Sequence, residues 1–284
     1  MGSAVLRFSR RTVLRGLLAL AGATAFGVGL FLPVPAETVC TQQDLTREPD
    51  AAVFSPAVQT VEAPPQETAV LPEKWVCLTF DDGPSKTTPE VLRVLNAAGV
   101  HATFFVVATD YNETYLPLLT EAAAAGHQIA LHSASHEYRD IYRSSEAYWK
   151  DIALLKERIA PYVDAESIRY LRFPGGSTNT VSRRYGGRGV MAELKQQCAE
   201  KGYAYVDWNV CAEDAVGGKP SAGTIYRNVV RETGKQTQCI VLMHDSATTR
   251  TTAEALPDII QWYKDQGFGF CTVEQVVSLP KSSG

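Results

Sequence analysis

The sequence predicts an α/β fold, a parallel sheet of seven or eight β/α units wound into one closed or nearly closed barrel. Two observations predict it. From residue 72 to about 280, apolar runs of strand length alternate with longer stretches of helical periodicity, and repeated strand–helix–strand implies parallel β/α units. Five of those apolar runs end in polar, chemically capable side chains. In a parallel barrel all such ends lie on one face, where active sites are built. An open doubly wound sheet is the rival arrangement.

The elements follow in order. A strand is expected at 75–80, then a helix at 89–98 with Val91, Leu92 and Leu95 on one face. HATFFVVA at 101–108 reads as the second strand, followed by a helix at 115–125. The third strand is expected at 128–131 before a long helix at 145–161. Further strands are expected at 170–173, 203–206, 239–243 and 269–273, separated by helices near 191–201, 224–232 and 252–266. No short internal repeat is evident.

What precedes this domain has a different character. Arg7, Arg10, Arg11 and Arg15 lead into a mostly apolar run from Gly16 to about Pro33. A positive region before an apolar one reads as an export signal, and Ser9-Arg10-Arg11 with Leu14-Arg15 resembles a twin-arginine signal. A retained membrane anchor is the alternative for residues 1–36. Residues 37–71 hold Pro56, Pro64 and Pro65 with little periodicity, the composition of a linker. The formal net charge of −4 argues against a general nucleic-acid binder, which needs a basic stripe. Cys40, Cys77, Cys198, Cys211, Cys239 and Cys271 form no C-x-x-C pair, so a cysteine zinc site is not expected.

Chemistry concentrates at the strand ends. The first strand runs into Asp81-Asp82-Gly83 and the third into His132-Ser133-Ala134-Ser135-His136; Arg172-Phe173 precedes Pro174-Gly175-Gly176, Asp207-Trp208 follows the run at 203–206, and His244 closes the run at 239–243. His132 and His136 are spaced i, i+4, which on a helical turn puts both imidazoles on one face. Two imidazoles and one carboxylate leave zinc an open position, the pattern of a catalytic site. Of two adjacent carboxylates, one can ligate a metal while its neighbour, pointing elsewhere, serves as a base. Arg172 is a candidate clamp on one of those acids.

Together, TFDDG at 79–83, HSASH at 132–136, RFPGG at 172–176, the segment 207–214 and LMH at 242–244 resemble the five motifs of the polysaccharide deacetylases, carbohydrate esterase family four, in order and spacing. The resemblance implies a distorted (β/α) barrel as a single catalytic domain over 72–280. It implies metal-dependent hydrolytic deacetylation of an N-acetylated glycan, N-acetylglucosamine in peptidoglycan or a chitin-like oligosaccharide. An O-acetyl (xylan-type) esterase or an inactive glycan-binding protein are the alternatives. By the same resemblance Asp82, His132 and His136 bind the metal, Zn2+ first with Co2+, Ni2+ or Mn2+ open. Asp81 is the general base, oriented by Arg172, and His244 the general acid. The Gly175 N–H stabilises the oxyanion, and Pro174, Gly175, Trp208 and Leu242 line the substrate pocket. Two departures stand out. Gly175 occupies a position where the family often has an aromatic residue, so one wall of the sugar site is expected to be missing. Asp207 and Asp214 compete for the fourth-motif acid, with Asp214 favoured for the contact to Arg172. The expected setting is outside the cell or at its surface, facing an acetylated glycan, with a membrane contact if the N-terminal segment is uncleaved, no nucleic-acid partner, and a monomer.

Overall fold

The structure, a computed structural model, describes residues 71–279. The signal or anchor expected at 1–36, nearly all of the linker and Cys40 lie outside the described residues. Among the described residues no helix is long and apolar enough to cross a membrane, and the described cysteines are free thiols.

The chain alternates as expected, through β1 (Trp75–Asp81), α1 (Thr88–Ala98), β2 (Thr103–Val107), α2 (Leu118–Ala124), β3 (Gln128–Ser133), α3 (Tyr138–Ile141), α4 (Ser145–Ile159) and β4 (Tyr170–Leu171). It continues through α5 (Ser182–Gly186), α6 (Val190–Glu200), β5 (Ala204–Tyr205), β6 (Val210–Cys211), α7 (Ala222–Thr233), β7 (Gln238–His244), α8 (Arg250–Asp265), β8 (Gly269–Phe270) and α9 (Val273–Val276). The sheet order is β5-β4-β3-β2-β1-β7-β6, with β8 beside the first residues of β1. Every pairing is parallel. The sheet curls into a partial barrel whose two edges, β5 and β6, are not paired with each other among the described strands. The seam is one physical reason the barrel is distorted: β4, β5 and β6 have two residues each, too few for a continuous ladder.

Strand alternation sorts the side chains. Val76, Leu78 and Phe80 of β1, Phe104 and Val106 of β2, Leu131 of β3 and Val241 of β7 join α1, α4 and α8 in the large outer core. Their neighbours Trp75, Cys77, Phe105, Ala130, Tyr170 and Ile240 form a second, inner core. The lower end of that interior is closed by Cys271 and Val273. There Thr103 Oγ1 and Gln128 Oε1, at the starts of β2 and β3, accept the Val273 and Glu274 amides and hold α9 in place.

Three elements depart from expectation. β6 is a two-residue strand flanked by polar residues, too short for a period to register. The run expected at 269–273 stops at Phe270, because Thr272 begins α9 with a capping box closed by Gln275. The helical turn expected for His132 and His136 is absent: His132 is the fifth residue of β3, and His136 lies in the following loop with φ 56°.

Candidate active site

The inward positions at the upper, C-terminal ends of the strands carry the candidate catalytic side chains. Asp81, His132, Arg172, Leu242 and His244 continue the inward phase of β1, β3, β4 and β7. Register then brings them together, since Asp81 pairs with His244 across β1–β7 and Leu131 with Leu171 across β3–β4.

Arg172 is fully buried. Its Nη1 donates to Asp81 Oδ1 at 2.7 Å and to Thr79 Oγ1 at 2.8 Å, and its Nε to the Val206 carbonyl at 2.9 Å. The guanidinium carbon sits 4.0 Å from the Phe105 ring centre and 5.6 Å from that of Trp208, so cation–π contact replaces lost hydration. One carboxylate oxygen of Asp81 is thereby fixed, and the other, Oδ2, points toward His132 Nε2 at 3.9 Å.

Asp82, His132 and His136 each offer a ligand atom within 4.8 Å of the others'. His132 Nδ1 lies 2.7 Å from the Arg172 carbonyl. A carbonyl only accepts, so the proton is on Nδ1 and Nε2 is a bare lone pair. That nitrogen faces Asp82 Oδ1 at 3.5 Å, and His136 Nε2 faces the same oxygen at 3.3 Å. Asp82 Oδ1 is buried without a hydrogen-bond partner. Acceptors converging on one point with no donor between them fit a cation. The electrostatics agree: burial pushes the His132 pKa down against the pull of Asp81 and Asp82, keeping the imidazole neutral. Burial alone would raise the Asp82 pKa, but the neighbouring His136 and His244 outweigh burial and lower it. Asp82 and His136 both have positive φ, 67° and 56°, strained backbone of the kind that collects at functional sites.

A residue the sequence reading missed sustains the second of these. Asp151, on α4, accepts from Ser133 Oγ (2.6 Å) and the Ala134 amide (2.8 Å) on one oxygen, and from the Ser135 amide (3.0 Å) and Ser135 Oγ (2.7 Å) on the other. Ser133 Oγ then accepts the His136 amide at 2.8 Å. Asp151 was visible as a charge on the buried stripe Tyr148, Ile152, Leu155 and Ile159 of an amphipathic helix.

On the other side of the site, His244 Nδ1 meets Asp214 Oδ1 at 2.8 Å. Asp214 Oδ2 accepts the His244 amide and Thr252 Oγ1, both at 2.7 Å. Burial alone would lower the His244 pKa, but Asp214, helped by Asp82 and Asp81, raises it to about 10. The contact expected between Asp214 and Arg172 is therefore corrected. Sheet order explains it: Asp214 follows β6, neighbour of β7 and His244, whereas Asp207 follows β5, neighbour of β4 and Arg172. Arg172 meets only the Asp207 backbone carbonyl, at 3.4 Å, and the Asp207 carboxylate binds Ser177 through its amide (2.8 Å) and Oγ (2.6 Å). Beside His244, the buried Asp245 has its pKa pushed up to about 7 by burial.

Of the expected pocket residues, Leu242 is buried but belongs to neither core, and Trp208 lies over Arg172. The Pro174 carbonyl is taken by Tyr142 Oη at 2.7 Å. Gly175 has φ 78°, a conformation glycine adopts without a Cβ penalty.

Comparison with known proteins identifies relatives of this chain. The sequence profile of the polysaccharide deacetylase family matches residues 68–188. A peptidoglycan-N-acetylglucosamine deacetylase of Bacillus cereus is 30% identical over 207 residues, 72% of this chain and 89% of its own length. The crystal structure of the catalytic domain of peptidoglycan N-acetylglucosamine deacetylase from Eubacterium rectale superposes with a TM-score of 0.68 at 36% identity, covering 72% of this chain and 91% of that one. A family 4 acetyl xylan esterase from Clostridium thermocellum, solved with a cobalt ion, superposes with a TM-score of 0.57 at 28% identity, covering 70% and 88%.

Proposed function

The chain belongs to the polysaccharide deacetylase family, hydrolases that remove acetyl groups from glycans, and on that premise we propose that it hydrolyses the N-acetyl group of N-acetylglucosamine in peptidoglycan or a chitin-like glycan. The observation that carries this reading is the pairing of two unlike groups across β1 and β7: Asp81 held by the Arg172 guanidinium, and His244 kept protonated by Asp214. One accepts a proton and the other donates one at neutral pH, the division of labour that hydrolysis of an amide needs.

Asp82, His132 and His136 would hold a divalent cation, zinc first with cobalt, nickel or manganese as substitutes. The cation would supply charge stabilisation at the acetyl carbonyl and lower the pKa of water. The chain's own residues supply the rest. Asp81 Oδ2, the oxygen Arg172 leaves free, takes the proton of the attacking water. The Gly175 N–H donates to the carbonyl oxygen as it gains charge, where one well-placed donor contributes about 3–4 kcal/mol. His244 donates to the departing amine nitrogen. Leu242 and Trp208 offer apolar surface to the acetyl methyl. An ester leaves readily as an alcohol, whereas an amine needs protonation, so a protonated donor at His244 favours N- over O-deacetylation. The family's known substrates and the arginine-rich N-terminus support a place outside the cell or at its surface.

The test is acetate release by the full-length protein from N-acetylated peptidoglycan, chitooligosaccharides and O-acetylated xylan, with and without chelator. Chelator-sensitive release from the N-acetylated glycans is expected. Release from the xylan alone would make the protein an esterase, and no release from any of them would leave a glycan-binding protein.

A further inference from the structure

Two tyrosines one turn apart border the same loop, and only one of them is used to hold it. Tyr142 Oη donates to the Pro174 carbonyl at 2.7 Å, fixing the loop that carries Gly175. Tyr138, at the start of α3, packs its ring edge-on against His136 with centroids 5.4 Å apart, and leans on Tyr142 at 5.8 Å. Its hydroxyl reaches the same loop, and an added Cβ on Gly175 would lie 2.9 Å from Tyr138 Oη and 3.2 Å from Cε1. The space a side chain at position 175 would fill is thus filled by Tyr138, delivered from the loop after β3. Unlike the Tyr142 hydroxyl, that of Tyr138 has no protein hydrogen-bond partner among the described residues, although the residue is half-buried.

We propose that Tyr138 is a substrate-contacting residue that sets affinity for the sugar: its ring walls the pocket between His136 and Gly175, and its hydroxyl donates a hydrogen bond to a hydroxyl of the N-acetylated sugar. The ring packs against the outer core, while the hydroxyl, without a protein partner and beside a candidate metal ligand, is left for a ligand. Gly175 belongs to the same device, because any side chain there would displace the Tyr138 hydroxyl. The inference rests on the deacetylase reading above and adds a specificity contact to it.

The test compares Tyr138→Phe with Tyr142→Phe in the full-length, zinc-loaded protein. Acetate release from chitooligosaccharides, zinc affinity and melting temperature are measured for each. Tyr138→Phe is expected to raise KM about 3- to 10-fold, the worth of one net hydrogen bond, with kcat, zinc affinity and melting temperature close to wild type. Tyr142→Phe is expected to lower the melting temperature, since it leaves the buried Pro174 carbonyl only the long contact from Asn179 Nδ2 at 3.5 Å. An unchanged KM in Tyr138→Phe would overturn the proposal, as would a change confined to kcat, zinc affinity or melting temperature, while leaving the deacetylase reading intact. Failure of the wild-type protein to release acetate would overturn both.

Discussion

The outward and inward faces of the same strands were built by one alternating pattern and ended with opposite tasks. Outward, Val76, Leu78 and Phe80 of β1 meet helices, and this face of the strand is apolar throughout. Inward, β1 carries Trp75 and Cys77 in an apolar floor, then Thr79 and Asp81 in a polar roof. The outer face can spend every position on packing because helices cover it fully. The inner face has only its lower half closed, by Val273 and Cys271, so its upper half is where charge can be buried with partners and still meet a ligand. Stability and chemistry are therefore separated by a two-residue step along β1.

The largest expected effect comes from the roof. Asp81→Asn should lower kcat for acetate release by about 10²–10⁴-fold, the usual span for a lost general base; retention of a tenth of wild-type activity would remove Asp81 from that role. Arg172 is where the two tasks meet. Arg172→Met leaves Asp81 buried without its counter-ion, so denaturant unfolding should register a loss of about 3–5 kcal/mol along with the activity. On the outer face, Leu78→Ala should cost about 2–5 kcal/mol of stability through a cavity and leave kcat of the folded enzyme near wild type. A fall in kcat there beyond the folded fraction would show the faces to be coupled. Asp151→Asn turns an amide NH2 toward hydroxyl and amide donors, and competition with a chelator should show zinc affinity lowered about 10–100-fold.

Much of this was legible beforehand. Period-2 alternation marks Asp81, Arg172 and His244 as sharing the face of Trp75, Tyr170 and Ile240, and chain order assigns them to strand ends. What was not legible depends on which strand neighbours which. The partner of Asp214 is His244 and not Arg172 because β6 lies beside β7, a crossover that no local pattern encodes. The spacing of His132 and His136 suggested a helix, yet the loop is extended and turned by Asp151, which is 15 residues beyond His136 and on another element. The space beside Gly175 is filled by Tyr138 at the start of α3, a neighbour visible only once the two segments meet in space.

A further expected effect is on pH dependence in metal-free protein. The His244 pKa is raised from 6.5 to about 10, so the folded state holds a proton the unfolded state has lost. The stability this contributes is complete below pH 6.5 and disappears as pH rises toward 10. In Asp214→Asn the decline over that window should be shallower, and equal slopes in the two proteins would deny the pairing its thermodynamic weight.

The anchoring of α9 has a practical consequence. Thr103 and Gln128 hold α9 at the floor of the barrel, and the Lys74 carbonyl accepts the Gly269 amide just before β1 begins. Both ends of the described domain therefore emerge from the side opposite the polar roof. A bead, a fusion partner or a surface attached through either terminus of this domain leaves the mouth of the site pointing away from the attachment, free to meet an insoluble polymer.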